Sequence, residues 1–460
     1  MIIMKFGGTS VKDADAMKKV LRIVSSYEES KPLVVLSACA GMTDKLINLI
    51  SNASSVPLSF SNKIIDEIEN HHLTMINRLI KQKNLRKTAI EKVKFYTSDL
   101  RRLVEGVKLL KECTDRNTAQ AESYGELLST IVFNFACISN GKNSAFLDAR
   151  EIIKTDSRYL SGRLDFEKVK ENSVKIKNLF KKHSYVITQG FISSDSKGIT
   201  TTLGRGGSDF SAAVFGAALK ADEIQIWTDV SGVLTADPRL VKSAIPIPEI
   251  SFSEMRELSF YGAKVLHPDT IKPAVEKKIP VRILNTYKPK DDGTIILEDI
   301  GTQKPEIHSV ISKQNCIECK IEIPSIANAQ KYYTERLNNF NKANYKILYS
   351  VCTEGNCRII IDAPISRKKM IKEISDAEKI SIIPVSVLCV SGTNLELIQL
   401  KAGNKSIISF PEKIISELSK LKVRQIIFGA SPVSILLLTA PEDSLDTLRK
   451  IHSYILKNPD

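Results

Sequence analysis

Over roughly the first 300 residues, short apolar runs alternate with longer amphipathic stretches, and a glycine-rich or Asp-rich loop follows several of the runs. A chain patterned this way folds as an α/β protein with a mostly parallel central sheet sandwiched by helices, because parallel strands need helical crossovers between them. The spacing predicts a strand over 2–6, a helix over 11–27 and a buried strand over 33–38. Residues 60–140 show helical periodicity without a strand. They predict about three long helices, too large a block for a simple crossover, covering one end of the sheet. Short strands are expected at 143–148, 184–189, 223–228 and 280–285. A glycine-rich loop at 201–207 leads to a helix capped by Ser208 and ending at Lys220. The turn Lys290-Asp291-Asp292-Gly293 is expected to close this region.

Beyond about residue 300 the pattern changes. Strand-like runs at 345–351, 358–362, 381–390, 395–400, 423–428 and 433–439 accompany two helix-period segments, 326–342 and 445–457. That is the signature of one or two small α+β sandwiches. The expected division is 1–298, 305–385 and 386–460. No low-complexity linker intervenes, so the parts are expected to be docked and not tethered.

The formal net charge is +14, with 43% hydrophobic and 26% charged residues. The basic excess is spread along the chain and lacks interleaved aromatics, which argues against nucleic-acid binding and for a solvated surface. No apolar run approaches the ~20 residues of a membrane span, and residues 1–10 lack a basic leader, so no membrane association is expected and the cytoplasm is the expected compartment. The eight cysteines fit a reducing compartment. Cys316-x2-Cys319 and Cys352-x4-Cys357 are not expected to bind metal, and the first pair, three apart in a strand, should point to opposite faces.

Three segments carry chemistry. Lys5-Phe6-Gly7-Gly8-Thr9-Ser10 runs from a strand through Gly-Gly towards a helix, where backbone N–H groups and Lys5 meet phosphate, although no P-loop pattern is present. Thr202-Leu203-Gly204-Arg205-Gly206-Gly207-Ser208-Asp209 places a fork-shaped cation in a tight loop before a helix, a bidentate carboxylate or phosphate site. Ile226-Trp227-Thr228-Asp229 ends a strand and is followed by 233–239, the region where nucleotides bind on parallel sheets. His267, before Pro268, is expected to be structural.

KFGGTSV (5–11), LSACAGMTD (36–44), SYGELLS (123–129), TQGFIS (188–193), TTLGRGGSD (201–209), IWTDVSGVLTADPR (226–239) and YGAKVLHPDT (261–270) together resemble the amino-acid kinase family, and within it the aspartokinases. The resemblance covers residues 1–300 well and 301–460 more weakly, where aspartokinases carry two ACT-type regulatory domains. It implies an ATP-dependent kinase forming 4-phospho-L-aspartate from L-aspartate, with Mg²⁺, at the head of lysine, threonine and methionine synthesis. It implies ATP contacts at Lys5, Phe6, Gly7, Gly8, Thr228, Asp229, Leu234, Arg239 and Lys264. Leu234 departs from the tyrosine many relatives have there. It implies aspartate contacts at Ser37, Thr43, Glu126, Arg205, Gly206, Gly207, Ser208 and Asp209. Lys5, Asp209 and Lys264 are the implied catalytic set, with Asp209 either orienting Lys5 or touching substrate. A homodimer or dimer of dimers through the ACT domains is also implied. Ile326-Ala327-Asn328 and Leu348 depart from the lysine-sensing pattern, whereas Thr353-Glu354 resembles it. A weak response to lysine, or another effector, is therefore expected.

The acceptor carboxylate has a reference pKa near ~3.9 and needs no general base. The competing readings are another amino-acid kinase, acting on glutamate or acetylglutamate, and a non-catalytic amino-acid sensor. Retention of Lys5, Lys264, Arg205 and Asp209 argues against the sensor. No second dinucleotide-binding pattern follows residue 300, so a fused dehydrogenase is not expected.

Overall fold

The computed structural model describes residues 1–460 except 264, 302–305, 324–328, 354, 378, 396–397, 403–404, 410–415, 417–419 and 458–460. The chain forms two compact units. The first comprises Met1–Val233, Pro248–Phe252 and Val265–Ile300; the second comprises Leu234–Ile247, Ser253–Lys264 and Gly301–Asp460.

The first unit is built on strands β1 (Ile2–Phe6), β2 (Leu33–Leu36), β3 (Ser144–Leu147), β4 (Tyr185–Gln189), β7 (Glu223–Thr228), β8 (Glu249–Ser251), β9 (Val281–Asn285) and β10 (Thr294–Leu297), with a separate hairpin of β5 (Ile192–Ser194) and β6 (Thr200–Thr202). The sheet order is β3-β4-β2-β1-β7-β9-β10-β8, and every pairing is parallel except β9 with β10. All five residues of β1 are buried, as expected of a strand covered on both faces. Helices α1 (Ala14–Ser26), α2 (Met42–Asn52), α3 (Leu58–Leu79), α4 (Lys83–Leu110) and α5 (Asp115–Ser139) form the long helical block. Nearly every residue of α5 from Ala119 onward is buried. It lies against β2, β3 and β4, while α8 (Gly207–Leu219) lies against β1, β2 and β7.

Three local expectations change. The first helix is split: a 3-10 turn over Gly8–Val11 precedes α1, which Asp13 caps by accepting from Ala16 N at 2.8 Å. Ser208 does not cap α8. Gly206 holds the cap position at φ +74 with no side-chain cap bond, and Ser208 lies inside the first turn. A Cβ on Gly206 would also lie 2.6 Å from Thr270 Cγ2, so both conformation and space require glycine. Lys290–Gly293 does not end the region. It reverses the chain from β9 into antiparallel β10, inside the same sheet.

The second unit carries β11 (Glu306–Glu322), β12 (Ile347–Cys352), β13 (Asn356–Ile361), β14 (Ile380–Thr393), β17 (Gln425–Ser431) and β18 (Ser434–Thr439) in one antiparallel sheet of order β12-β13-β11-β14-β18-β17. A separate hairpin joins Ile398–Ala402 to Lys405–Ser409. Alternation sets the cores. Leu388 and Val390 of β14 pack with Ile435, Leu437 and the C-terminal helix Ser444–Lys457, while Val387 and Cys389 face the other way with Leu436 and Leu438. Cys319 enters the core under α11 (Ala329–Lys342), and Cys316 enters the core on the opposite face, as their spacing predicts. Leu348 is buried in that second core, and its carbonyl accepts from Tyr261 Oη at 3.2 Å. Ile326, Ala327, Asn328 and Glu354 lie outside the described residues. Among the described residues, no helix is long and apolar enough to cross a membrane.

Candidate active site

The carboxyl ends of β1 and β2 open onto a cleft of roughly 600 Å³. Lys5, one residue from the end of β1, has its side chain about one-tenth exposed, and its Nζ lies 2.6 Å from Asp209 Oδ1 in the first turn of α8. Lys5 and Asp209 therefore form an ion pair within the cleft. Gly8 lines the same cleft. A Cβ there would lie 2.8 Å from the Ala38 carbonyl, so the chain past β1 runs against the loop past β2. That approach is sealed by Ser37 N donating to Phe6 O and Ala40 N donating to Gly8 O.

Helix α5 supplies the floor. Spacings of four and three put Glu122, Glu126 and Ser129 on one face. Ser129 Oγ donates to Ser37 O at 2.8 Å, and Ala38 N donates to Glu126 Oε1 at 3.1 Å. Glu126 Oε2 is buried with no hydrogen-bond partner among the described residues. Burial pushes the Glu126 carboxyl up to about 8; the Ala38 N–H and the more distant Lys5 oppose the shift, and Glu122 adds to it. The Glu122 carboxyl is also raised by burial, with the nearby Thr202 hydroxyl opposing the shift.

Ser37, Thr43, Glu126, Arg205, Gly206, Gly207, Ser208 and Asp209, from three separate segments, all line this one cleft with Lys5. Arg205 is exposed and makes no ion pair or hydrogen bond among the described residues. The other expected nucleotide residues are placed differently. The Phe6 side chain is core, stacked on Trp227 at 5.7 Å, and the Gly7 N–H is spent on Trp227 O at 3.1 Å, so neither offers that group to phosphate. Thr228 and Asp229 end β7, beside β1, and are bonded to each other at 3.2 Å. Leu234 and Arg239 belong to the second unit. Leu234 bridges to Pro246, and the Arg239 guanidinium forks onto Asp237 at 2.6 and 3.0 Å. Lys264 lies outside the described residues. His267 is structural in its backbone: its carbonyl accepts from Thr270 N and Oγ1.

Glu122, Thr202 and Phe191 also line the cleft and were not among the expected residues. Phe191 adopts φ +66, unusual for an aromatic residue and typical of a strained functional loop. It sits within TQGFIS, and Thr202 within TTLGRGGSD, so both lay inside recognised motifs. Glu122 had no signal beyond its four-residue offset from Glu126.

The sequence profile described as the Amino acid kinase family matches residues 1–285. The chain belongs to the amino acid kinase family. This kinase is 30% identical over 466 residues to the lysine-sensitive aspartokinase 3 of Escherichia coli, with 99% of each chain covered. The crystal structure of Escherichia coli aspartokinase III in complex with lysine and aspartate, in the T-state, matches it with a TM-score of 0.82 at 29% identity over 99% of both chains. The R-state structure of that enzyme, with aspartate and ADP, matches with a TM-score of 0.74 at 29% identity, covering 99% of this chain and 100% of that one.

Proposed function

We propose that this amino acid kinase is an aspartate kinase, transferring the γ-phosphoryl group of ATP to the β-carboxylate of L-aspartate to give 4-phospho-L-aspartate and ADP. The observation that carries the reading is the convergence, in one cleft, of a buried carboxylate oxygen without a partner, an unpaired guanidinium and an anion-tethered lysine. An amino acid needs an anion for its ammonium and a fork-shaped cation for its α-carboxylate. Glu126 Oε2 and Arg205 supply these. The β-carboxylate then points towards Lys5.

The acceptor is ionised at neutral pH, so the barrier is electrostatic: an anion must approach a triphosphate. Lys5 Nζ, held by Asp209, and the positive end of the α8 dipole offset that repulsion and align the reactants for in-line transfer. Asp209 acts as a positioning residue. Mg²⁺, bound with the nucleotide, would neutralise phosphate charge. Among the described residues no group of three His, Cys, Asp or Glu is placed to hold a metal. Gly8, Thr228 and Asp229 lie on the sheet edge where the nucleotide is proposed to bind. Contributions from Leu234, Arg239 and Lys264 are part of the same proposal.

The second unit is the proposed regulatory and dimerising part, with a weak or altered lysine response, and the reaction is assigned to the cytoplasm. A hydroxamate assay with ATP, Mg²⁺ and L-aspartate tests the activity. Acyl phosphate should form with aspartate and not with glutamate, and none with aspartate would overturn the reading. Calorimetry showing tight lysine binding would overturn the regulatory part.

A further inference from the structure

The second cysteine pair singled out in the sequence lies at the tip of the β12–β13 hairpin of the second unit. Cys352 stands directly opposite Cys357 in the register. Thr353 N donates to Asn356 O at 2.8 Å, which makes Thr353 and Asn356 the last hydrogen-bonded pair before the turn. Hydrogen-bonded and non-hydrogen-bonded pairs alternate along an antiparallel ladder, so Cys352 and Cys357 occupy a non-hydrogen-bonded position. There the Cα atoms lie about 4.5 Å apart and side chains approach most closely, inside the ~4.4–6.8 Å range that a disulfide spans. The flanking thiol is worse placed. Cys319 shares the core face with Cys357 but opposes Ile359, so it is diagonal to Cys357. Diagonal neighbours sit about 7–8 Å apart, beyond ordinary disulfide reach.

We propose that Cys352 and Cys357 are a redox modification site that closes reversibly into an intrachain disulfide by exchange with a small disulfide. Cys352 is half-buried and Cys357 buried, so Cys352 is the thiol that meets solvent. As thiolate, Cys352 attacks the small disulfide, forming a mixed disulfide and releasing one thiol. Cys357 gives up its proton and attacks the Cys352 sulfur, forming the intrachain bond and releasing the second thiol. Two protein thiols are oxidised and one small disulfide is reduced to two thiols. The bond closes a loop of a few residues, so it constrains the unfolded chain little. With one sulfur near solvent, it belongs with labile disulfides that are made and broken.

The test is incubation of the full-length protein with glutathione disulfide, quenching with iodoacetamide, and peptide mass mapping. The wild type should lose two of its eight free thiols as a Cys352–Cys357 linked peptide, restored by dithiothreitol. Cys357→Ser should stall with glutathione on Cys352. Cys352→Ser should leave Cys357 reduced, and Cys316→Ser should still form the link. The proposal is overturned if the wild type keeps a stable mixed disulfide on Cys352, if Cys319 is the linked partner, or if the link appears only after denaturation.

Discussion

The two units treat buried charge in opposite ways. In the second, several buried ionisable groups are matched from within, and Glu318, whose Oε1 makes no hydrogen bond among the described residues, still has the Arg358 guanidinium at 3.6 Å. His308 Nδ1 lies 2.7 Å from the fully buried Glu254, and Thr235 Oγ1 bonds His452 Nε2 at 2.9 Å. In the first, among the described residues, Glu126 keeps one buried oxygen without a hydrogen-bond partner at the floor of a cleft, and the exposed Arg205 there has no partner. An unmatched buried carboxylate is costly. A fold that retains one beside an open cavity is arranged for a cation that arrives from outside, whereas matched pairs hold a structure together.

The contrast can be broken most directly at Lys5. Lys5→Ala should lower kcat by about 100- to 1000-fold, the scale of losing one preorganised stabilising charge, with KM for aspartate within a few-fold of wild type. An unchanged kcat would remove Lys5 from the chemistry.

Next comes Glu126→Gln, expected to raise KM for aspartate by roughly 10- to 100-fold, the worth of one charge-assisted hydrogen bond. Steady-state kinetics against pH sharpens this. The substrate ammonium needs the carboxylate ionised, so wild-type KM should fall as pH rises through about 8, and the variant should show no such fall. Stability runs the other way. The folded-state value is raised from 4.5 to about 8, so the native state holds the proton more tightly than the unfolded chain. Wild type should therefore lose stability relative to Glu126→Gln as pH climbs across that interval, by at most about 1.4 kcal/mol per pH unit. Parallel melting curves at pH 5 and pH 8 would contradict it.

Gly206→Ala should cost about 1–2 kcal/mol from the positive φ alone, more with the Thr270 methyl in the way, and should weaken aspartate binding by shifting Arg205 and Ser208. Melting temperature and KM measured together check it. The smallest effect is expected in the second unit. Ile435→Val, at a fully buried position, should cost roughly 0.5–1.5 kcal/mol and leave KM for aspartate unchanged. A rise in KM would mean that the core of the second unit tunes the cleft.

Much of this was legible in the sequence because motifs mark loops at strand ends, and a parallel sheet brings such ends together. TTLGRGGSD carries Arg205 and Asp209, and the fold sets both on the one cleft. The motif misassigned the cap, since a positive-φ glycine and a serine hydroxyl are alternative ways to start a helix and both stood in the loop. Lys290–Gly293 is a turn in either reading; whether a turn ends a region or reverses within it depends on which strand the next residues pair with. Glu122 was invisible because a glutamate on a helix usually faces water, and only the near-complete burial of α5 turns it inward. The placement of Leu234 and Arg239 in the second unit follows from long-range packing that local pattern does not encode.

The tie between Lys5 and Asp209 has a consequence for selectivity. With its charge already matched by Asp209, Lys5 offers a stray anion less than Arg205 does. Sulfate or inorganic phosphate would have to prise the pair apart and would bring no ammonium for Glu126. Small oxyanions are thus disfavoured at the Lys5 end of the cleft, whereas Arg205 stays open to any carboxylate.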